Sequence, residues 1–299
     1  MASNTLEYFI LEPALFKLDG GGMYGIIPKP MWNKVHPADE QNRVLLSLRL
    51  LLIKGKKRTV LIDTGIGDYH DEKFIKMFDV KSELSPLEQA LHNIDLKKED
   101  ITDLVISHFH FDHIGGLGEK NSNGEHIPLL PNAHIHVHKK HYEYAFNPTP
   151  RDSGSFHSHF FGPLMEYYKE RKQLFFYDGD QGELLDLGDG ETLKFITSHG
   201  HTPWLLHPYT KDYIYLTDLI PTSNHIHIPW VMGYDIAPGV TTEYKEKLLG
   251  FIERNQLKVI YEHDPKYWGS ELNRDDKGRV RVSHNFERLN EISYSIKRN

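Results

Sequence analysis

Within six residues, His108-Phe109-His110-Phe111-Asp112-His113, the chain places three imidazoles and a carboxylate directly after the apolar run Leu104-Val105-Ile106-Ser107. An apolar run ending in a dense set of metal-binding side chains reads as a buried strand that delivers ligands from its end. Burying so many polar groups without a metal would be costly, so a purely structural role accounts poorly for the cluster. His108 and His110 alternate with Phe109 and Phe111. In an extended backbone the histidines share one face and the phenylalanines pack on the other. Asp112 and His113 then fall where the chain turns, with Gly115-Gly116 supplying the freedom to turn. Ligands that point in two directions suit two metals better than one.

The metals must be held by nitrogen and oxygen, because the chain has no cysteine. Zn, Mn, Fe and Co suit such imidazole–carboxylate sites. With 20 histidines present, a lone histidine carries little weight and spacing must decide. Thirty-five basic against 42 acidic residues give a net charge of −7, which argues against a nucleic-acid partner. Met1–Glu7 has neither a basic start nor a long apolar stretch, and no run reaches the length of a membrane span. The reading is a soluble, cytoplasmic protein with no membrane attachment. Its 299 residues suffice for one large core, read as a single domain over 1–299.

Strands and helices interleave along the chain. Leu45–Ile53 and Thr59–Asp63, separated by Lys54-Gly55-Lys56, read as a hairpin. Ser85-Pro86-Leu87-Glu88 reads as a helix start, with Ser85 as N-cap and Glu88 completing a capping box. Ala133–His138 alternates as a strand. His134, His136 and His138 then share a face, read as solvated rather than as another metal site. The segment at about 139–172 is rich in aromatics and histidine and reads as an insertion, with helical pieces around Asn147–Pro150. A helix near Thr242–Asn255 presents Tyr244, Leu248, Phe251 and Ile252 on one face. The mixture implies an α/β or α+β layered sandwich.

Three more short strands end in ligand-type residues. Phe195-Ile196 leads to Ser198-His199-Gly200-His201-Thr202-Pro203, Leu216 to Thr217-Asp218, and Ile260-Tyr261 to Glu262-His263-Asp264. This series, a His-x-His-x-Asp-His cluster, a later Gly-His-Thr-Pro, an Asp past a strand and a terminal His-Asp, resembles the motifs of the metallo-β-lactamase superfamily. The order matches from Asp63 to Asp264. The resemblance implies a four-layer αββα sandwich with His108, His110 and His201 on one metal, Asp112, His113 and His263 on the other, and Asp218 bridging. Asp63 would stand behind the ligands and orient one of the histidines. His199 is read as a non-ligand.

Asp19–Trp32, Asp218–Thr222 and Pro229–Asp235 are similar to a bacterial branch containing quorum-quenching lactonases, which open N-acyl-homoserine lactones. The resemblance implies two divalent ions, foremost zinc, whose shared water supplies a hydroxide to attack the lactone carbonyl, with Asp112 or Asp218 relaying the proton. The well-studied lactonases carry a tyrosine three residues after the bridging aspartate, where this chain has Pro221. Its work would fall to His225, Tyr24 or Tyr234, and Met23 and Tyr24 would wall the pocket. The partner is then a small ester or lactone, and exposed apolar residues suggest a homodimer. The alternatives on the same metals are a phosphotriesterase resembling methyl parathion hydrolase and a thioesterase. A di-iron redox protein of the same fold is disfavoured by His110, where those proteins carry Glu.

Overall fold

Leu50-Leu51-Leu52-Ile53 has no polar side to offer solvent, and the chain gives it two cores instead. The computed structural model describes residues 6–82, 85–289 and 291–296. Met1–Thr5, part of the stretch read above for a leader, lie outside them. In β2 (Arg43–Lys54), Leu50 and Leu52 face one apolar cluster while Leu51 and Ile53 face another, as the two-residue strand period requires.

The first sheet runs in chain order through β1 (Glu7–Asp19), β2, β3 (Thr59–Ile62), β4 (Asp103–Val105), β5 (His134–His138) and β6 (Leu174–Tyr177). The second continues through β7 (Gln181–Gly188), β8 (Glu191–Ser198), β9 (Leu205–Tyr209), β10 (Tyr213–Tyr215), β11 (Lys258–Ile260), β12 (Tyr267–Arg274) and β13 (Val280–Glu287). A last strand, β14 (Ser293–Ile296), returns to pair with β1. Pairing is parallel from β3 through β6 and between β10 and β11.

Four layers follow from which face is apolar. Tyr8, Ile10, Val60 and Ile62 meet Leu193, Phe195, Leu206 and Tyr215 between the sheets. Leu61, Leu104 and Ile135, on the outer face of the first sheet, are covered by α3 (Pro86–His92) and α6 (Ser158–Glu170). Ile214 and Val259, on the outer face of the second, are covered by α7 (Pro238–Asn255) through Leu248, Leu249 and Ile252. The expected αββα sandwich is present. No helix among the described residues is long and apolar enough to cross a membrane.

Several local readings change. Helix α3 begins at Pro86 as expected, but Ser85 is left-handed at φ 50° and its side chain makes no cap bond. Glu88 instead lies 3.1 Å from Lys98 Nζ, so no capping box forms. The helical pieces expected around Asn147–Pro150 flank that loop instead, as α5 (Lys139–Phe146) and α6. His134 keeps a part-exposed side chain, but the other two β5 histidines are not solvated. His136 donates from Nε2 to Asp103 at 2.8 Å and meets the Tyr177 hydroxyl through Nδ1 at 3.0 Å, and His138 meets the Gly179 carbonyl at 3.1 Å, both buried under β6 and its following turn. In α7, Lys245 is fully buried, its Nζ donating to the carbonyls of His227, Ile228 and Trp230 at 2.8, 3.2 and 2.8 Å. Burial pushes this lysine down to about 7, and the three carbonyls use the three N–H groups of its ammonium.

Candidate metal centre

The strand ends converge at one edge of the two sheets. β3 leads to Asp63, β4 to Ser107-His108, β8 to His201, β10 to Asp218 and β11 to His263. Two of these ends use left-handed backbone, Asp63 at φ 59° and Thr217 at φ 45°. Such conformations persist where the surroundings over-determine them.

The cluster itself bends earlier than the extended reading assumed. The backbone enters a one-turn helix, α4 (Phe111–Ile114), directly after His110. Phe109 packs in the outer core of the first sheet, whereas Phe111 turns away to Phe74 and Phe78, ring centroids 5.1 and 5.8 Å away. The two phenylalanines therefore do not share a face. Gly115 is right-handed at φ −61°, so freedom to turn is not its purpose. A Cβ there would lie 1.9 Å from the Ile66 carbonyl oxygen, and one on Gly116 would lie 2.4 Å from that of Thr64. The glycines allow two backbones to touch, which fastens α4 to the segment after Asp63.

All seven expected ligands come together in two groups. His108, His110, His201 and Asp218 form one, and Asp112, His113 and His263 the other. His110 Nδ1 lies 3.0 Å from His108 Nε2 and 3.1 Å from His201 Nε2. Asp218 straddles both groups. Its Oδ2 is 3.1 Å from His201 Nε2 and 3.3 Å from His113 Nε2, while Oδ1 is 3.0 Å from His263 Nε2. Asp112 Oδ2 lies 3.7 Å from His263 Nε2 and 3.8 Å from His113 Nε2.

Acceptors stand behind three of these imidazoles and turn them inward. His201 Nδ1 meets Asp235 at 3.0 Å, His263 Nδ1 meets the Ser47 carbonyl at 2.9 Å, and His113 Nδ1 lies 3.1 Å from both Asp63 and Glu262. Asp63 is itself fixed by the Ser107 amide and hydroxyl at 2.7 and 2.6 Å. A histidine donating from Nδ1 presents its Nε2 lone pair to a metal. His110 Nε2, His113 Nε2 and Asp218 Oδ1 are buried with no hydrogen-bond partner. Burial opposes charge on every imidazole here, yet Asp218 together with Asp235 outweighs it at His201, and Asp218 together with Glu262 and Asp112 at His263, pushing them up to about 10 and about 9. Burial and neighbouring imidazoles together hold His108 and His110 well below the ordinary histidine value. A buried carboxylate that must hold protons on its neighbours is one that cations would satisfy better. The donor set fits two divalent ions.

The centre floors a cavity of about 320 Å³ onto which His110, Asp112, His201, Asp218 and His263 open. Leu18, Met23, Phe78, Phe111 and Met232 supply apolar wall, and Tyr234 and Arg151 are also on the lining. Met23 and Tyr234 are thus both on the cavity lining. Tyr24 and His225 do not reach the cavity. Tyr24 is fully buried, stacked between Trp32 and His225 with centroids at 5.3 and 4.9 Å. His225 supports the wall from behind through Nε2, 2.9 Å from the Met23 carbonyl. The Pro221 carbonyl accepts from the His263 amide at 3.0 Å. His199 faces Trp204 and joins neither ligand group.

Asp235 and Glu262 stand in stretches read above but carried no role there, and Arg151 gave no signal in the sequence. Asp235 and Glu262 follow no spacing rule, and Arg151 acts by bracing the Gly233 and Asp235 carbonyls at 2.6 and 3.1 Å across the cavity. His141, His207 and His225 are likewise buried, and burial holds each down to about 3. They stay neutral in the fold but protonate near 6.5 when unfolded, so below that pH the unfolded state binds more protons and stability falls. Each contributes a loss of about 1 kcal/mol by pH 5.5. His225→Gln keeps a donor for the Met23 carbonyl but cannot titrate. Its urea midpoint is expected to fall less than that of the wild type between pH 7.5 and 5.5, and equal slopes would refute a neutral His225.

A sequence model of the metallo-beta-lactamase superfamily matches residues 50–263. The N-acyl homoserine lactonase AttM of Agrobacterium fabrum is 29% identical over 177 residues, covering 57% of this chain and 61% of its own. The match thus spans less than two thirds of that relative. A probable metal-dependent hydrolase from Staphylococcus aureus is similar in structure, with TM-score 0.81, 25% identity and coverage of 96% of this chain and 99% of its own. AidC, a dizinc quorum-quenching lactonase solved with a product, superposes with TM-score 0.71 at 20% identity, over 97% of each chain.

Proposed function

The chain belongs to the metallo-beta-lactamase superfamily, and from that premise we propose that it is a dinuclear metal-dependent hydrolase opening the ring of N-acyl-homoserine lactones. The observation that carries the reading is the pairing of seven converging ligands with a small, largely apolar cavity directly above them. Lactonase relatives at 29% identity support the same substrate class.

His108, His110 and His201 would hold one ion, Asp112, His113 and His263 the other, with Asp218 between them. Zinc suits this nitrogen–oxygen set, and Mn, Fe and Co are the alternatives. Bound there, the ions would supply Lewis acidity toward a carbonyl and acidify water near neutral pH. The chain's own residues do the rest. Asp112 and Asp218 open onto the cavity, where a carboxylate can take a proton from attacking water and return it to the leaving alkoxide. Met23, Phe78, Phe111 and Met232 receive an acyl chain and exclude water around it. Tyr234 offers a hydroxyl at the rim in place of the tyrosine lost to Pro221.

Metal-analysed protein assayed side by side on a long-chain acyl-homoserine lactone, a phosphotriester and a thioester is expected to turn over the lactone fastest and to lose that activity on chelation. Undiminished lactonase activity in metal-stripped protein would sink the reading. Preference for the phosphotriester would replace the substrate and keep the centre.

A further inference from the structure

Strand β2 outlasts its neighbour. β3 pairs with it only from Leu51 to Lys54, so the earlier part of β2 has hydrogen-bonding groups free on that side. The segment after β11 takes them up. Arg49 N donates to the Glu262 carbonyl at 3.1 Å, Ser47 N to the His263 carbonyl at 3.2 Å, and His263 Nδ1 meets the Ser47 carbonyl at 2.9 Å. The Arg49 side chain then closes around the same segment. Nη1 donates to the Tyr261 carbonyl and Nη2 to the Asp264 carbonyl at 2.9 Å, gripping Glu262-His263 from both sides.

This guanidinium is fully buried, and its counter-charge is the equally buried Glu12 carboxylate, bonded by Nε at 2.7 Å and by Nη2. Glu12 sits where the β1–β2 register breaks between Leu11 and Ala14, and its other oxygen accepts from Arg288. A buried ion pair is weak as a source of stability, since desolvation offsets much of its attraction. Two carbonyls gripped in a fixed fork are a better reason to bury an arginine than the pairing alone.

We propose that Arg49, charged and aimed by Glu12, is a positioning residue for the second metal half-site, holding His263 in register with Asp112 and His113. The inference rests on the reading of His263 as a ligand. Lysine cannot span both carbonyls and Glu12 at once, and the double change Glu12→Gln with Arg49→Met removes the fully buried charge pair together, leaving only the part-exposed Arg288 without its carboxylate.

The test is metal content and the visible spectrum of the cobalt-substituted protein during titration with a chelator, alongside thermal unfolding. Wild type should release two ions. Arg49→Lys and the double variant should remain folded and give up one ion at about 10- to 100-fold lower chelator, the loss typical of removing a ligand's support. His263→Ala should do the same, and adding Arg49→Lys to it should change nothing further. Two ions held as tightly as in wild type, with only a lower unfolding temperature, would overturn the proposal, as would additive losses in the combined variant. A wild type that binds fewer than two ions would instead overturn the dinuclear reading itself.

Discussion

If the chain has the lactonase activity proposed above, replacing Asp218 by asparagine is expected to reduce that turnover about a thousandfold and to uncouple the fold from metal. Among the described residues, Asp218 is the one carboxylate within 3.5 Å of His108, His113, His201 and His263 together. Asparagine has nearly the same shape but no charge to offset two cations, and the loss of several kcal/mol of stabilised charge corresponds to that rate factor. Ions that bind only the native state stabilise it by mass action, so chelation should lower the unfolding temperature of the wild type. In the variant the same chelator should shift it little. The discriminating measurement is kcat/KM together with unfolding temperature, each with and without chelator. A variant that retains both ions and most of its activity would contradict the bridging role.

Gly115→Ala is expected to have the largest effect on stability of any single methyl added near the site. The new Cβ would meet the Ile66 oxygen at 1.9 Å, and the approach is mutual, since a Cβ on Gly67 would meet the Gly115 oxygen at 2.1 Å. Both obstacles are backbone, so no side chain can rotate away. The Thr64 amide, bonded to the His113 carbonyl at 2.7 Å, would be drawn apart with them. Overpacking of this kind costs about 3 kcal/mol, and it should be accompanied by metal loss, because Asp63 and His113 lie on the two sides being separated. Gly239→Ala is the control. Gly239 lies in α7 with nothing within 4 Å of its added Cβ, and alanine there should be neutral or slightly stabilising. Equal urea midpoints for Gly115→Ala and wild type would show that the two segments can separate freely.

The seven converging side chains were legible because they sit at or just past the ends of short apolar strands, and that arrangement leaves a mark in the sequence. The layers were legible for a related reason: Leu50-Leu51-Leu52-Ile53 cannot be one-sided. What stayed hidden depends on contacts between distant segments. Nothing around Asp235 announces that it will meet His201, and Lys245 belongs to a residue type that is almost never fully buried. The solvated reading of His136 and His138 failed because strand alternation tells which residues share a face, not what covers it. Tyr24 and His225 were placed on the cavity by their neighbourhood in the chain, whereas their rings stack one layer behind Met23.

The unequal lengths of β2 and β3 bear on how the molecule assembles. The His263 side chain hydrogen-bonds to the first sheet where β2 runs on alone, through a partner 216 residues earlier in the chain. Contacts that close loops of this length form late, after shorter-range pairings have offset their own entropy. An early half-folded chain can gather His108, His110, Asp112 and His113 from one short stretch, but it cannot offer the complete pair of ion sites. Uptake of the second ion should therefore mark arrival at the native state and act as a kinetic latch, slowing escape from a structure whose two sheets are joined at that seam.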